Sequence, residues 1–303
     1  MKKHIPAVIL YFFIYIFAYS IYGAVANAKD ITWNQTKQHK LTANKKDSQH
    51  IVTDFVRAGD SSQMFVLKHG ECGGQDCKWG AHRTERQLKQ YHWSKKKIGN
   101  EVYYALSVYI PKEFGYDYVA SKMSLVQAKM KGVDMPIWMI NTDGAGYYVM
   151  IPHSRGKCMI GILEKEQWYD FVVKVDYGRE KVKGYKYFEM WQNGEKFEGC
   201  DLHVPIITKN IMKESKSHGW SSNTQQINMR YGPYKWRIGD YLSFTGKKKP
   251  EIKKFNQPNG YTNIQYPFKY DWGKELVTTV MYYDEIRIGK TLNEVMIQDV
   301  AVD

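Results

Sequence analysis

The chain has 303 residues, 43% of them hydrophobic and 25% charged, and a formal net charge of +13. That balance excludes a disordered or collagen-like chain and suits one large domain or two ordinary ones. Aromatic residues reach 15%, with 24 Tyr and 9 Trp, which fits a β-protein or a surface that stacks on ring-shaped ligands. The basic charge either serves solubility or matches a polyanion such as an acidic polysaccharide, a nucleic acid or an anionic envelope.

In chain order, Lys2 and Lys3 precede an apolar run from Ile5 to Val25 and the small-residue stretch Ala26-Asn27-Ala28. Residues 1–28 thus read as a secretory signal cleaved after Ala28, although the run is long enough to remain as an uncleaved anchor. Either way the remaining chain faces outward, which argues against a nucleic-acid partner and limits membrane contact to this segment. Residues 29–50 are polar and without periodicity, and read as a flexible lead-in or an irregular first strand. Strand signals then dominate: 101–111 ending at a proline, a hairpin over 135–152 around Asp143-Gly144, a strand over 168–177, a hairpin over 184–199 turning at Asn193-Gly194, and a long last strand over 276–289. Short helices are expected near 112–122 and 205–216. Many strands joined by turns, with no linker or repeat, predict a single all-β sandwich or jelly roll.

Four cysteines accompany this pattern. Cys72 and Cys77 flank a loop made flexible by Gly73 and Gly74, and export favours a disulfide between them; Cys158 and Cys200 are candidates for a second. The spacings lack the histidines of a zinc site, so no metal is expected.

Three strand-like stretches place polar groups on one face. In "HRTERQL" (82–88) Arg83, Glu85 and Gln87 alternate; in "SLVQAKM" (124–130) Gln127 and Lys129 oppose Val126, Ala128 and Met130. In "INMRYGPYKW" (227–236) Asn228, Arg230, Gly232, Tyr234 and Trp236 oppose Ile227 and Met229. Gly232 there leaves space for a sugar ring, or marks a bulge with Pro233. The plainer alternatives are a structural Arg83–Glu85 ion pair, a solvated Gln127–Lys129 face and a packing Tyr234. If the three stretches share a sheet, the set suits β-elimination on a uronate glycan. A base removes the C5 proton, donors such as Arg and Gln hold the charge that spreads onto the carboxylate, and a Tyr returns a proton to the leaving O4. The candidate catalytic residues are Tyr234, Lys129, Gln127 and Arg83; the candidate substrate-binding residues are Arg230, Glu85, Asn228 and Lys235.

At these residues the chain resembles the polysaccharide lyases of the heparin lyase I and glucuronan lyase type, over most of residues 55–296. "FVRAGD" before the cysteine loop and "HRTER" resemble that family's opening strands, and "EVYYALSVYIPKEF" its next one. "SLVQAK" sits where the family has a Gln-x-His strand. "WYDFVVKVDY" and "YFEMWQNGEKF" are similar to its paired strands, "MRYGPY" to its Lys-x-Gly-x-Tyr-like strand, and "VMYYDEIRIGKTLNEV" to its closing strand. The resemblance implies a jelly-roll domain over 51–303 with a concave substrate groove. Arg83 and Gln127 would contact and neutralise the uronate carboxylate, Tyr234 would act as base, acid or both, and Arg230 would bind substrate charge. Lys129 departs from the pattern, standing where the family usually has a histidine; lowered in pKa, a lysine serves as base. No cofactor is required. Some relatives carry a structural calcium ion, for which no loop is visible here. The expected partner is an acidic polysaccharide and the expected state a monomer. A non-catalytic carbohydrate-binding jelly roll is the alternative. A glycoside hydrolase ranks last, because no strand carries the closely spaced carboxylates its retaining forms need.

Overall fold

The computed structural model of the protein describes residues 31–42, 45–68, 72–76, 81–89, 92–94, 99–112, 123–142, 146–162, 164–178, 181–219, 225–236, 253–256, 262–265 and 278–297. The N-terminal apolar run, Cys77, the Asp143-Gly144 turn and most of the helix expected near 112–122 lie outside them.

Along the longer strands every second residue is apolar and packs in the core, as with Val102, Tyr104, Leu106, Val108 and Ile110, so each strand must bury one face, and two stacked antiparallel sheets meet that demand. The first sheet runs in the order β1 (Thr36–Gln38), β5 (Arg86–Leu88), β15 (Gln225–Lys235), β8 (Met123–Met130), β9 (Trp138–Thr142), β10 (Tyr147–Ile151) and β11 (Gly156–Gly161). Two short strands, β4 (His82–Arg83) and β6 (His92–Ser94), also pair with β15. The second sheet runs β14 (Glu195–Lys196), β13 (Phe188–Gln192), β12 (Gln167–Asp176), β7 (Glu101–Ile110), β18 (Thr279–Gly289), β3 (Ser62–Leu67) and β2 (Gln49–Val52). A separate two-stranded ribbon joins β16 (Lys253–Asn256) to β17 (Thr262–Gln265). This is the expected β-sandwich of the jelly-roll class.

The core lies between the two sheets. Trp138 from the first sheet donates through Nε1 to the Tyr177 hydroxyl at 2.8 Å, and that hydroxyl also bonds Tyr104 of β7 at 2.9 Å. Burying three polar tips in one closed set satisfies each of them. Phe65 packs edge to face on both Tyr231 and Tyr283 across the same interface, and the two tyrosines pack tilted on each other, with centroids 4.9–5.8 Å apart. A disulfide between Cys158 on β11 and Cys200 ties the edge of the first sheet to the segment that follows β14 at the edge of the second. Cys72 is also disulfide-bonded.

β1 pairs with β5, and Arg86 clamps it: Nε donates to Thr36 Oγ1 at 2.7 Å, Nη2 to the Trp33 carbonyl at 3.0 Å, and the guanidinium lies 3.3 Å from the centroid of the Trp33 ring. One helix, α1 (Lys209–Ser217), falls within the 205–216 stretch expected to be helical, apart from its last residue, and is capped by the Thr208 hydroxyl. At the second hairpin, Asn193 and Gly194 both take positive φ, 49° and 83°, the combination a two-residue turn between twisted strands requires.

Candidate active site

Pairing brings the three polar stretches together on the face of the first sheet that points away from the core. Arg230 lies opposite Gln127 of β8 and Gln87 of β5; Asn228 lies opposite Lys129; Tyr234 lies between Arg83 of β4 and Ser124 of β8. The intervening residues Ile227, Met229 and Tyr231, with Ala128 and Met130, are buried in the core as alternation requires.

A hydrogen-bonded network holds the centre of this face. Arg83 donates through Nη2 to Asp76 Oδ1 at 2.7 Å and through Nε to Asp76 Oδ2, and its Nη1 reaches Glu85 Oε2 at 2.8 Å. Glu85 accepts from Gln127 Nε2 through its other oxygen. Arg83, Glu85 and Gln127 are all buried, so these charge-assisted bonds replace lost hydration. The Arg83 guanidinium also lies 3.8 Å from the centroid of the Tyr234 ring, a cation–π contact that fixes the phenol over the network. Burial opposes the Arg83 charge, but Glu85 and Asp76 outweigh it and hold its pKa above the ordinary value.

Two titratable groups flank the network with opposite shifts. Burial lowers Lys129 to about 7, reinforced by the charges of Arg230 and Arg83. Its amine donates to the Asp134 carbonyl. Burial raises Tyr234 to about 12, against the pull of Arg83. Asn228 donates through Nδ2 to the Leu88 carbonyl, and its Oδ1, also buried, accepts no hydrogen bond.

Lys235 does not join this group. Alternation turns it to the face opposite Tyr234, where it is buried and donates to Thr279 Oγ1 of β18 at 2.6 Å. Gly232 opens no space for a sugar either. It sits in a β-bulge at φ 114°, and a Cβ there would meet the Thr84 carbonyl oxygen at 2.3 Å and the Phe65 ring at 2.9 Å.

Two further residues carry no period-two signal in the sequence. His39 follows β1; its backbone N–H donates to the Glu85 carbonyl at 2.8 Å, and its Nδ1 accepts from Leu41 N at 3.3 Å. Burial, together with Arg230, Arg83, Lys40 and Lys129, drives its pKa down to about 2, so it is neutral. Asn141 lies opposite Ser124 on the same face, fully buried, and neither of its amide atoms has a hydrogen-bond partner.

The sequence profile of the family described as polysaccharide lyase matches residues 27–287, most of the chain. The protein belongs to the polysaccharide lyase family. Among solved structures, the lyase is similar to the endo-β-1,4-glucuronan lyase from the fungus Trichoderma reesei, at 13% identity and a TM-score of 0.51, covering 88% of this chain and 95% of that one. It is also similar to the catalytic domain of the glycoside hydrolase family 131 protein from Coprinopsis cinerea, at 8% identity and a TM-score of 0.50, covering 94% and 97%. At such identities the likeness of this lyase to both is one of fold, shared by one protein named a lyase and one that carries a hydrolase family name. No curated protein sequence matches the lyase.

Proposed function

We propose that this lyase is exported and cleaves a uronate-containing polysaccharide by β-elimination at the face of its first sheet that points away from the core. The observation that carries the reading is the joining of Arg83, Glu85, Gln127 and Tyr234, from three separate segments, into one network with Arg230 and Lys129 beside it. An exported protein is supported by the N-terminal apolar run and by the Cys158–Cys200 disulfide.

In this mechanism the uronate carboxylate docks against Arg230 and the second N–H of Gln127. Arg83 positions rather than binds, since its fork is taken up by Asp76 and Glu85. Neutral Lys129, held by one N–H on Asp134, takes the C5 proton onto its lone pair. The electron pair of the C5–H bond forms the C4=C5 double bond, the C4–O4 bond breaks, and the Tyr234 hydroxyl protonates the departing O4. A pKa near 7 suits a base and one near 12 suits an acid that must stay protonated. Asp76 and Glu85 are both bound to Arg83, an arrangement that favours elimination over the free carboxylate pair of a retaining hydrolase.

Incubating the mature protein with polyglucuronate, alginate, hyaluronan and a heparin-like glycan tests the reading. At least one should yield the ultraviolet absorbance of an unsaturated uronate; new reducing ends without that absorbance would replace elimination by hydrolysis.

A further inference from the structure

The second sheet carries a feature that the lyase mechanism does not use. On its outer face Trp168 of β12, Tyr109 of β7 and Tyr282 of β18 stand opposite one another on three adjacent strands. Their rings touch in sequence, Trp168 to Tyr109 at 5.5 Å and Tyr109 to Tyr282 at 5.9 Å between centroids. Phe55 stacks on Tyr282 at 4.6 Å and is 37% exposed. Beside the row opens a cleft of about 430 Å³ walled by Trp168, Arg57, Asp170, Asn193, Gly194 and Ile297.

The walls of this cleft are preorganised. Arg57 Nη2 donates to Asp170 Oδ2 at 2.8 Å and its Nε to Asp170 Oδ1 at 3.2 Å. Ser107 also donates to Asp170, and the Asp170 backbone N–H donates to Asn193 Oδ1 at 2.9 Å. The Asn193-Gly194 turn is exposed, so the Asn193 amide reaches solvent at the rim. The result is an indole wall with a paired guanidinium and carboxylate, an amide and a bare glycine around it. A pyranose ring needs these features: its apolar C–H face covers an aromatic plane while hydroxyls at its rim meet planar polar groups. A purely apolar partner would leave the Arg57–Asp170 pair and the Asn193 amide without use, and the paired charges give a small anion no surplus cation to bind.

We propose that this cleft and its aromatic row form a second, non-catalytic carbohydrate-binding site, which holds a pyranose unit of the polysaccharide on the side of the sandwich opposite Tyr234. It rests on the polysaccharide lyase membership and not on the elimination mechanism. Such a site raises the local concentration of polymer and favours long chains over short ones.

The test is retardation of the protein in native gels containing polyglucuronate, alginate or a neutral β-glucan, with Trp168→Ala and Trp168→Leu beside wild type. Leu keeps apolar bulk without a π face, so it decides the matter if Ala impairs folding. Wild type should be retarded by at least one polymer, and both variants should lose roughly tenfold in affinity. Turnover of short oligosaccharides should be unchanged where any is measurable. Equal retardation of folded Trp168→Leu and wild type, or no retardation of wild type by any of the three, would overturn the second site. Because retardation needs no turnover, loss of the elimination reading leaves this result interpretable.

Discussion

In the proposed mechanism Lys129 and Tyr234 divide the proton work, because burial moves a cation and a phenol in opposite directions. Activity should therefore rise with pH through a limb near 7, as Lys129 becomes neutral, and stay high until Tyr234 ionises near 12. Replacing Lys129 by Met should remove the acid limb and lower kcat roughly 10²–10⁴-fold. Tyr234→Phe should lower kcat by a similar factor with KM little changed, which steady-state kinetics on the preferred glycan reads directly. His39 acts on stability. Its folded pKa, about 2, lies far below the ordinary 6.5, so the unfolded chain takes up a proton that the folded one refuses. That contribution is complete above about pH 6.5 and is lost as pH falls towards 2. A His39→Gln variant should show a flatter loss of melting temperature with acid than wild type. Arg83, Glu85, Gln127, Lys129 and Arg230 were legible because period-two alternation fixes a face. His39 was not, since it stands in a stretch without periodicity and gains its place only when β1 pairs with β5.

At the scale of elements, β15 organises the site. Its bulge lies between Tyr231, which packs in the core, and Tyr234, which pairs with Arg83. The bulge depends on Gly232, whose positive φ and contact with the Thr84 carbonyl leave no room for a side chain. Gly232→Ala should cost about 1–3 kcal/mol in denaturant unfolding and weaken turnover by displacing Tyr234. Glu85→Ala should cost about 3 kcal/mol, because it strips a buried partner from Arg83 and another from Gln127. Alternation also explains Lys235: it directly follows Tyr234, which faces outward, and so enters the core. The space assigned to a sugar at Gly232 could not be judged from the sequence, because a bulge redirects a Cβ in a way that spacing does not encode.

Across the whole molecule, two sheets were predictable from alternating strands and their turns, whereas the strand order was not, since it depends on long-range pairing that no local pattern specifies. The link between sheet edges is one such feature. Cys158 and Cys200 are 42 residues apart, and opening their disulfide with a Cys158→Ser, Cys200→Ser double variant should cost about 4 kcal/mol of stability by loop-closure entropy. The central claim is that the outer face of the first sheet performs elimination on a uronate polymer. It is tested most directly by following ultraviolet absorbance of unsaturated uronate in wild type and Tyr234→Phe, each shown by melting to be folded, on polyglucuronate, alginate, hyaluronan and a heparin-like glycan. The account predicts growing absorbance for wild type on at least one polymer and almost none for the variant. Binding of these polymers by wild type without any new absorbance, or equal absorbance from the variant, would contradict it.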